Sequence, residues 1–275
     1  MAATFVVVPQ WQGSPSSRAM RLVDGAEAIR GDLPSTATLL VDVPLEAGDS
    51  EGSAVQRLSS IAIVRDRMTR DLATIDGVAI TVGGDCGVEL AAVPHALARN
   101  DGMAVVWFDA HPDLNTPESS PSHAFGGMVL RTLLGEGAAA LVPAVPLSAD
   151  RVLLGGVRSS DPAENEYLTS HGMVSMGPDG LDADALVAAV ESSGASSVYL
   201  HIDLDVLDPN DVSGVGYPEP FGVPTATLLA AIRALLARFP LAGAGLTGFA
   251  PASPADAVDD MPTILRIIGA LSAAA

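Results

Sequence analysis

The sequence predicts an α/β fold, a mostly parallel central sheet flanked by helices, and two observations carry that expectation. Short β-branched runs alternate with longer Ala- and Leu-rich stretches along the chain, as parallel strands joined by covering helices require. Two acidic clusters, Asp109-Ala110-His111-Pro112-Asp113 and Asp203-Leu204-Asp205, each follow directly on such a run. Open α/β sheets bind ligands beyond the carboxyl ends of their strands, so both clusters stand where a site belongs.

Strands are predicted over residues 4–8, 38–43, 78–82, 103–108, 151–155, 173–175, 197–202 and 244–249, short runs of β-branched or large apolar residues. Between them apolar residues recur at helical spacing over 52–75, 88–99, 128–134, 184–192, 225–239 and 256–271. Loops rich in Pro, Ser and Gly lie at 12–18, 115–123 and 208–224; the last two follow the acidic clusters and are natural substrate walls.

At 275 residues and 48% hydrophobic the chain can fill one large core, and a single domain over 1–275 is expected. Its 33 acidic and 14 basic residues leave a formal charge of −19, which argues against nucleic acid or an anionic membrane surface as a partner. Much of that charge reads as a solvated acidic face. One cysteine makes no internal disulfide, and the first ten residues lack the basic start and long apolar run of a signal peptide. A cytoplasmic protein is the expectation. The apolar stretch 264–275 is interrupted by Arg266 and too short to span a bilayer, so it reads as a packed terminal helix.

Strand side chains alternate between faces, so Asp109, His111 and Asp113 are expected to point one way, as are Asp203 and Asp205. Carboxylates converging without a cation would repel one another and raise one another's pKa. His201, two positions before Asp203, shares its parity and reads as a partner of a ligand rather than a ligand. His95 and His171 read as structural or solvated.

With Gly83-Gly84-Asp85-Cys86 upstream, and the second cluster extended through Val206-Leu207-Asp208-Pro209, these segments resemble the three signature blocks of the ureohydrolases, the arginase and agmatinase family. The resemblance covers nearly the whole chain. It implies an arginase-like three-layer fold and a centre of two Mn2+ ions per subunit. By it, Asp109 and Asp203 bridge the ions, Cys86 and Asp113 complete one, and His111 and Asp205 complete the other. A metal-bridging hydroxide would attack a guanidine carbon. It further implies that Asn115 and Ser122 meet the α-carboxylate of a guanidino amino acid and that Asp161 and Glu164 meet its α-ammonium. Asp161-Pro162 reads equally as a helix start.

Three positions depart from the family pattern. Cys86 replaces the usual histidine ligand, and a thiolate also accepts Zn2+ or Fe2+. Gly126 stands where arginases carry a proton-shuttling histidine, leaving His123 or Glu219 as candidates for acid/base work. Gly248 stands where a glutamate would meet the substrate guanidinium. Together these resemble the branch acting on Nω-hydroxy-L-arginine, whose weakly basic guanidine enters largely neutral; that branch makes hydroxyurea and L-ornithine for cycloserine biosynthesis. The alternatives are an arginase or agmatinase activity and a degenerate, non-catalytic homologue. Because arginases commonly trimerise through a C-terminal extension and this chain ends soon after its last helix, a monomer is expected, with a trimer as the alternative.

Overall fold

The computed structural model describes residues 3–275. Its strands are β1 (Thr4–Val8), β2 (Thr38–Leu40), β3 (Ala79–Gly83), β4 (Met103–Phe108), β5 (Val152–Gly155), β6 (Val174–Met176), β7 (Ser197–Asp203) and β8 (Leu241–Thr247). The helices are α1 (Arg21–Gly31), α2 (Leu58–Leu72), α3 (Glu89–Leu97), α4 (Val129–Leu133), α5 (Pro162–Ser170), α6 (Ala183–Ser192), α7 (Thr225–Arg238) and α8 (Pro254–Ser272). All strand pairs are parallel, in the order β2-β1-β3-β8-β7-β4-β5-β6. The three-layer arrangement expected from the resemblance is therefore present.

Alternation along the strands divides the interior into two cores, one on each face of the sheet. Ala104, Val106 and Phe108 of β4 and Leu200 and Ile202 of β7 join Ile29 of α1, Leu186 of α6, Ile232 of α7 and Ile264 of α8. Val105 and Trp107 of β4 and Tyr199 of β7 join Met68 of α2, Val93 of α3, Leu130 of α4 and Tyr167 of α5. Strands β3, β8, β7 and β4 are neighbours at the centre, so residues far apart in sequence meet where these four end.

Two helices were not among those expected from helical spacing. In α5 only Glu164 and Tyr167 are buried, which leaves no apolar stripe to detect. The α1 helix carries Gly25, a poor helix former, because a Cβ there would overlap the Phe249 carbonyl. Other differences lie at element ends: α2 begins only at Leu58, after Arg57 in a left-handed conformation, and β8 spans Leu241–Thr247 rather than 244–249. Among the described residues no helix is long and apolar enough to cross a membrane.

Candidate metal centre

Asp109, Asp113, Asp203 and Asp205 are all buried and line one cavity of about 330 Å³ together with Cys86 and His111. Alternation along an extended chain is not what gathers them. Strand β4 stops at Phe108, Asp113 has a φ of 53°, and Asp205 lies in a single 3-10 turn over Leu204–Val206. Each cluster instead turns on its own first carboxylate. Asp109 Oδ1 accepts the His111 backbone N–H at 2.7 Å, and Asp203 Oδ1 accepts that of Asp205 at 3.0 Å. The Ala110 N–H donates to Asp205 Oδ1 at 3.1 Å and ties the two turns together.

One side of the centre holds its own cation. His111 Nδ1 lies 3.0 Å from Asp205 Oδ2 and 3.4 Å from Asp109 Oδ1. Burial opposes its charge, but the hydrogen bonds from both carboxylates prevail and push the imidazole up to about 12. Asp109 is correspondingly held below the usual range: burial raises it, and the nearby His111 and His201 imidazoles more than offset that.

The other side has only neutral donors. The Cys86 thiol donates to Asp203 Oδ2 at 3.1 Å, and Thr247 Oγ1 donates to the same oxygen at 2.9 Å. Burial and the nearby Asp203, Asp113 and Asp109 charges hold that thiol well above its ordinary value. Asp113 Oδ2 is buried with no hydrogen-bond partner. Burial, then Asp109, drives the Asp113 carboxyl well above the ordinary range; burial with Asp203 and Asp109 does the same to Asp205.

A buried, partnerless carboxylate oxygen beside three other carboxylates and a thiol is a donor set that fits divalent cations. Ligand atoms of Asp109, His111 and Asp205 lie within 4.8 Å of one another, as do those of Cys86, Asp109 and His201. His201 is set back from this cavity, its Nδ1 on Glu89 at 2.8 Å and its ring stacked on Trp107.

Around the cavity, Asn115 Nδ2 donates to Asp161 Oδ2 at 2.8 Å, and Ser119 Oγ donates to Asn115 Oδ1 at 2.8 Å. Glu164 accepts the Leu114 N–H at 2.9 Å and the Asp161 N–H at 2.8 Å, so it both starts α5 and anchors the loop after Asp113. Asn115, Ser122, Asp161 and Glu164 all line the cavity. His123 does not: it is exposed, its φ is 54°, and its N–H is held by Ser120 Oγ at 3.1 Å. Glu219 comes closer, with Oε1 3.9 Å from His111 Nε2 and 3.3 Å from Ser159 Oγ.

Sequence reasoning missed four contributors. Arg18 and Arg21 line the cavity, the first from the loop before α1 and the second as its first residue. Arg158 donates to the carbonyls of Gly156, Asp205, Val206, Leu207, Glu219 and Pro220 at 2.7–3.3 Å, clamping the Asp205 turn to the loop that carries Glu219. Asp85 accepts from Gln10 Nε2, Gly13 N and Gly87 N at 2.8–2.9 Å and fastens the first loop against the Cys86 turn. Burial raises its pKa to about 6 despite those bonds.

Residues 25–261 match the arginase family. In sequence the chain is 30% identical over 228 residues to the arginase of Bacillus subtilis (strain 168), covering 75% of this chain and 77% of that one. In fold it is similar to the arginase of Entamoeba histolytica, solved in complex with L-ornithine: TM-score 0.87 at 21% identity, over 98% of this chain and 97% of that chain. It is also similar to the proclavaminate amidino hydrolase of Streptomyces clavuligerus, with TM-score 0.75 at 20% identity over 100% and 93% of the two chains. By the family match and the Bacillus relative, the chain belongs to the arginase family of metal-dependent amidinohydrolases.

Proposed function

We propose that this protein hydrolyses the guanidino C–N bond of Nω-hydroxy-L-arginine to hydroxyurea and L-ornithine. The observation that carries the reading is the ground around Gly248. Its φ is +86°, and a Cβ there would overlap Asp203 Oδ1, so Asp203 itself occupies the direction from which a side chain would meet the guanidinium. No carboxylate extends from that wall, and a neutral N-hydroxyguanidine needs none. Gly126 is different. A Cβ there meets only the Gly13 carbonyl, at 3.2 Å, a tight contact but not the overlap found at Gly248.

In this reading Cys86, Asp109, His111, Asp113, Asp203 and Asp205 would together hold two Mn2+ ions. When bound, the ions would neutralise the carboxylates and supply an acidic water. The chain does the rest. Asn115 and Asp161, braced on each other, receive the amino-acid head group with Ser122 and Glu164, and Arg18 and Arg21 complement its carboxylate. Glu219 Oε1, beside His111 Nε2, is placed to hold the proton that the leaving amine requires. A weakly basic hydroxylated nitrogen leaves readily and asks less of that donor. The exposed His123 has no part in this scheme.

The same reading takes residues 1–275 as one ureohydrolase domain, acting in the cytoplasm as a monomer and supplying hydroxyurea for D-cycloserine biosynthesis. The deciding experiment is ornithine release by the manganese-loaded protein from Nω-hydroxy-L-arginine and L-arginine, with agmatine as a third substrate. Strong preference for the hydroxylated compound is expected. Equal or better turnover of arginine would return the protein to ordinary arginase activity.

A further inference from the structure

A second polar cluster lies behind Asp109, and the proposed reaction does not use it. Glu89, the first residue of α3, is wholly buried; it accepts the Tyr199 hydroxyl at 2.5 Å and faces His201 Nδ1 at 2.8 Å. The His201 ring is stacked on Trp107, centroids 3.6 Å apart and planes 22° apart. Trp107 Nε1 donates to Asp109 Oδ2 at 3.2 Å, while His201 Nε2 lies 3.8 Å from that same oxygen and has no hydrogen-bond partner.

Register explains how these groups meet. Trp107 pairs with His201 across β4 and β7, and His201 pairs with Gly245 across β7 and β8, so the three share one row of the sheet. Gly245 completes the row by its emptiness, since a Cβ there would overlap Glu89 Oε1. A buried Glu–His pair is an expensive way to fill a core that apolar side chains would fill as well or better. Its one unpartnered nitrogen is aimed at the carboxylate between the two halves of the centre.

We propose that Glu89 and His201 are positioning residues for the metal centre: Glu89 orients the imidazole, and His201 with Trp107 fixes the rear oxygen of Asp109. This rests on the metal-dependent reading above. Groups that orient ligands in this way change metal affinity by roughly 10–100-fold when removed.

The test uses the full-length protein as Glu89→Gln, which keeps size, and His201→Asn, with Tyr199→Phe as a reference that alters only the far oxygen of Glu89. Mn2+ titration calorimetry, the electron paramagnetic resonance signal of the coupled Mn2+ pair, and kcat with KM would be measured on each. Expected are a 10–100-fold loss of Mn2+ affinity, a weakened coupled-pair signal and a fall in kcat with KM little changed for the first two variants. Tyr199→Phe should stay within a few-fold of wild type. Folded Glu89→Gln that binds two Mn2+ with wild-type affinity and signal would overturn the inference alone, and Glu89→Gln decides it should His201→Asn fail to fold. Wild-type protein that binds no Mn2+ would overturn it together with the proposed function.

Discussion

The two halves of the centre are built from similar carboxylates yet balance their charge in opposite ways. Around His111 an imidazolium sits between Asp205 and Asp109, so that half carries a counter-charge of its own. Around Cys86 the side-chain donors among the described residues are a thiol and a hydroxyl, both on one oxygen of Asp203, and Asp113 Oδ2 has none. Without metal the first half pairs its imidazolium with the Asp109 carboxylate, and the second is a proton store. Loading the Cys86 half must therefore expel protons from a thiol and a carboxyl that burial makes reluctant to release them.

The strongest way to break this contrast is Gly248→Glu, which places a side chain where Asp203 now lies. One of two Mn2+ ions should be lost and turnover should fall about 100-fold, ~2.7 kcal/mol in the barrier; two retained ions with undiminished turnover would refute the geometry. A paired substitution sharpens the contrast. In metal-free protein Asp113→Asn removes an uncompensated buried acid and should stabilise by ~1–2 kcal/mol. Asp205→Asn leaves His111 short of its nearer partner and should destabilise by ~1 kcal/mol, a small value because the imidazole is 31% exposed. Denaturant melts of the two variants should move in opposite directions.

The pH dependence of the metal-free protein follows from the raised Asp113 and Asp205 carboxyls. Above the ordinary value of 3.8 the unfolded chain releases these protons while the folded site retains them, so stability falls as pH rises from there. His111, pushed up to about 12, contributes fully below its ordinary 6.5 and loses that contribution progressively as pH rises from there through about 12. Melting temperature without metal should thus decline from pH 4 toward pH 8, and the gain on adding Mn2+ should grow over the same interval; a gain that shrinks would contradict the proton store. The smallest effect is expected for Glu219→Gln, whose carboxylate stands 3.9 Å from His111. A three- to tenfold loss of kcat with unchanged Mn2+ content would fit a rim acid/base group.

The fold and the gathering of the candidate ligands were legible because both are periodic or local. Alternating elements announced the sheet, and β1 and β4 have the bounds their β-branched runs imply. The six ligand candidates fell in three short segments at strand ends, and the central strands bring them together. The reason for their convergence was not legible: the turns closed on Asp109 and Asp203, not a strand's alternation, aim them. Glu89, Tyr199 and Trp107 read as ordinary core or helix residues, since only the register of β4, β7 and β8 reveals that they share a row with His201. Arg158 gave no signal, because its partners are backbone carbonyls, and His123 was sequence-close to the site yet turns out to solvent.

The Arg158 clamp has a consequence for traffic. One guanidinium holds the carbonyl of Asp205 and those of Glu219 and Pro220, so the wall they form swings as a single stiff panel or not at all. Were that panel the exit, each departing product would tug on a metal ligand. The opposite rim is fastened by lighter means, Ser122 through an exposed bond from Gln56 to its carbonyl and bonds within its own loop, and Arg18 standing in solvent. For the proposed reaction, product is expected to leave on that side, without pulling on the turn that carries Asp205.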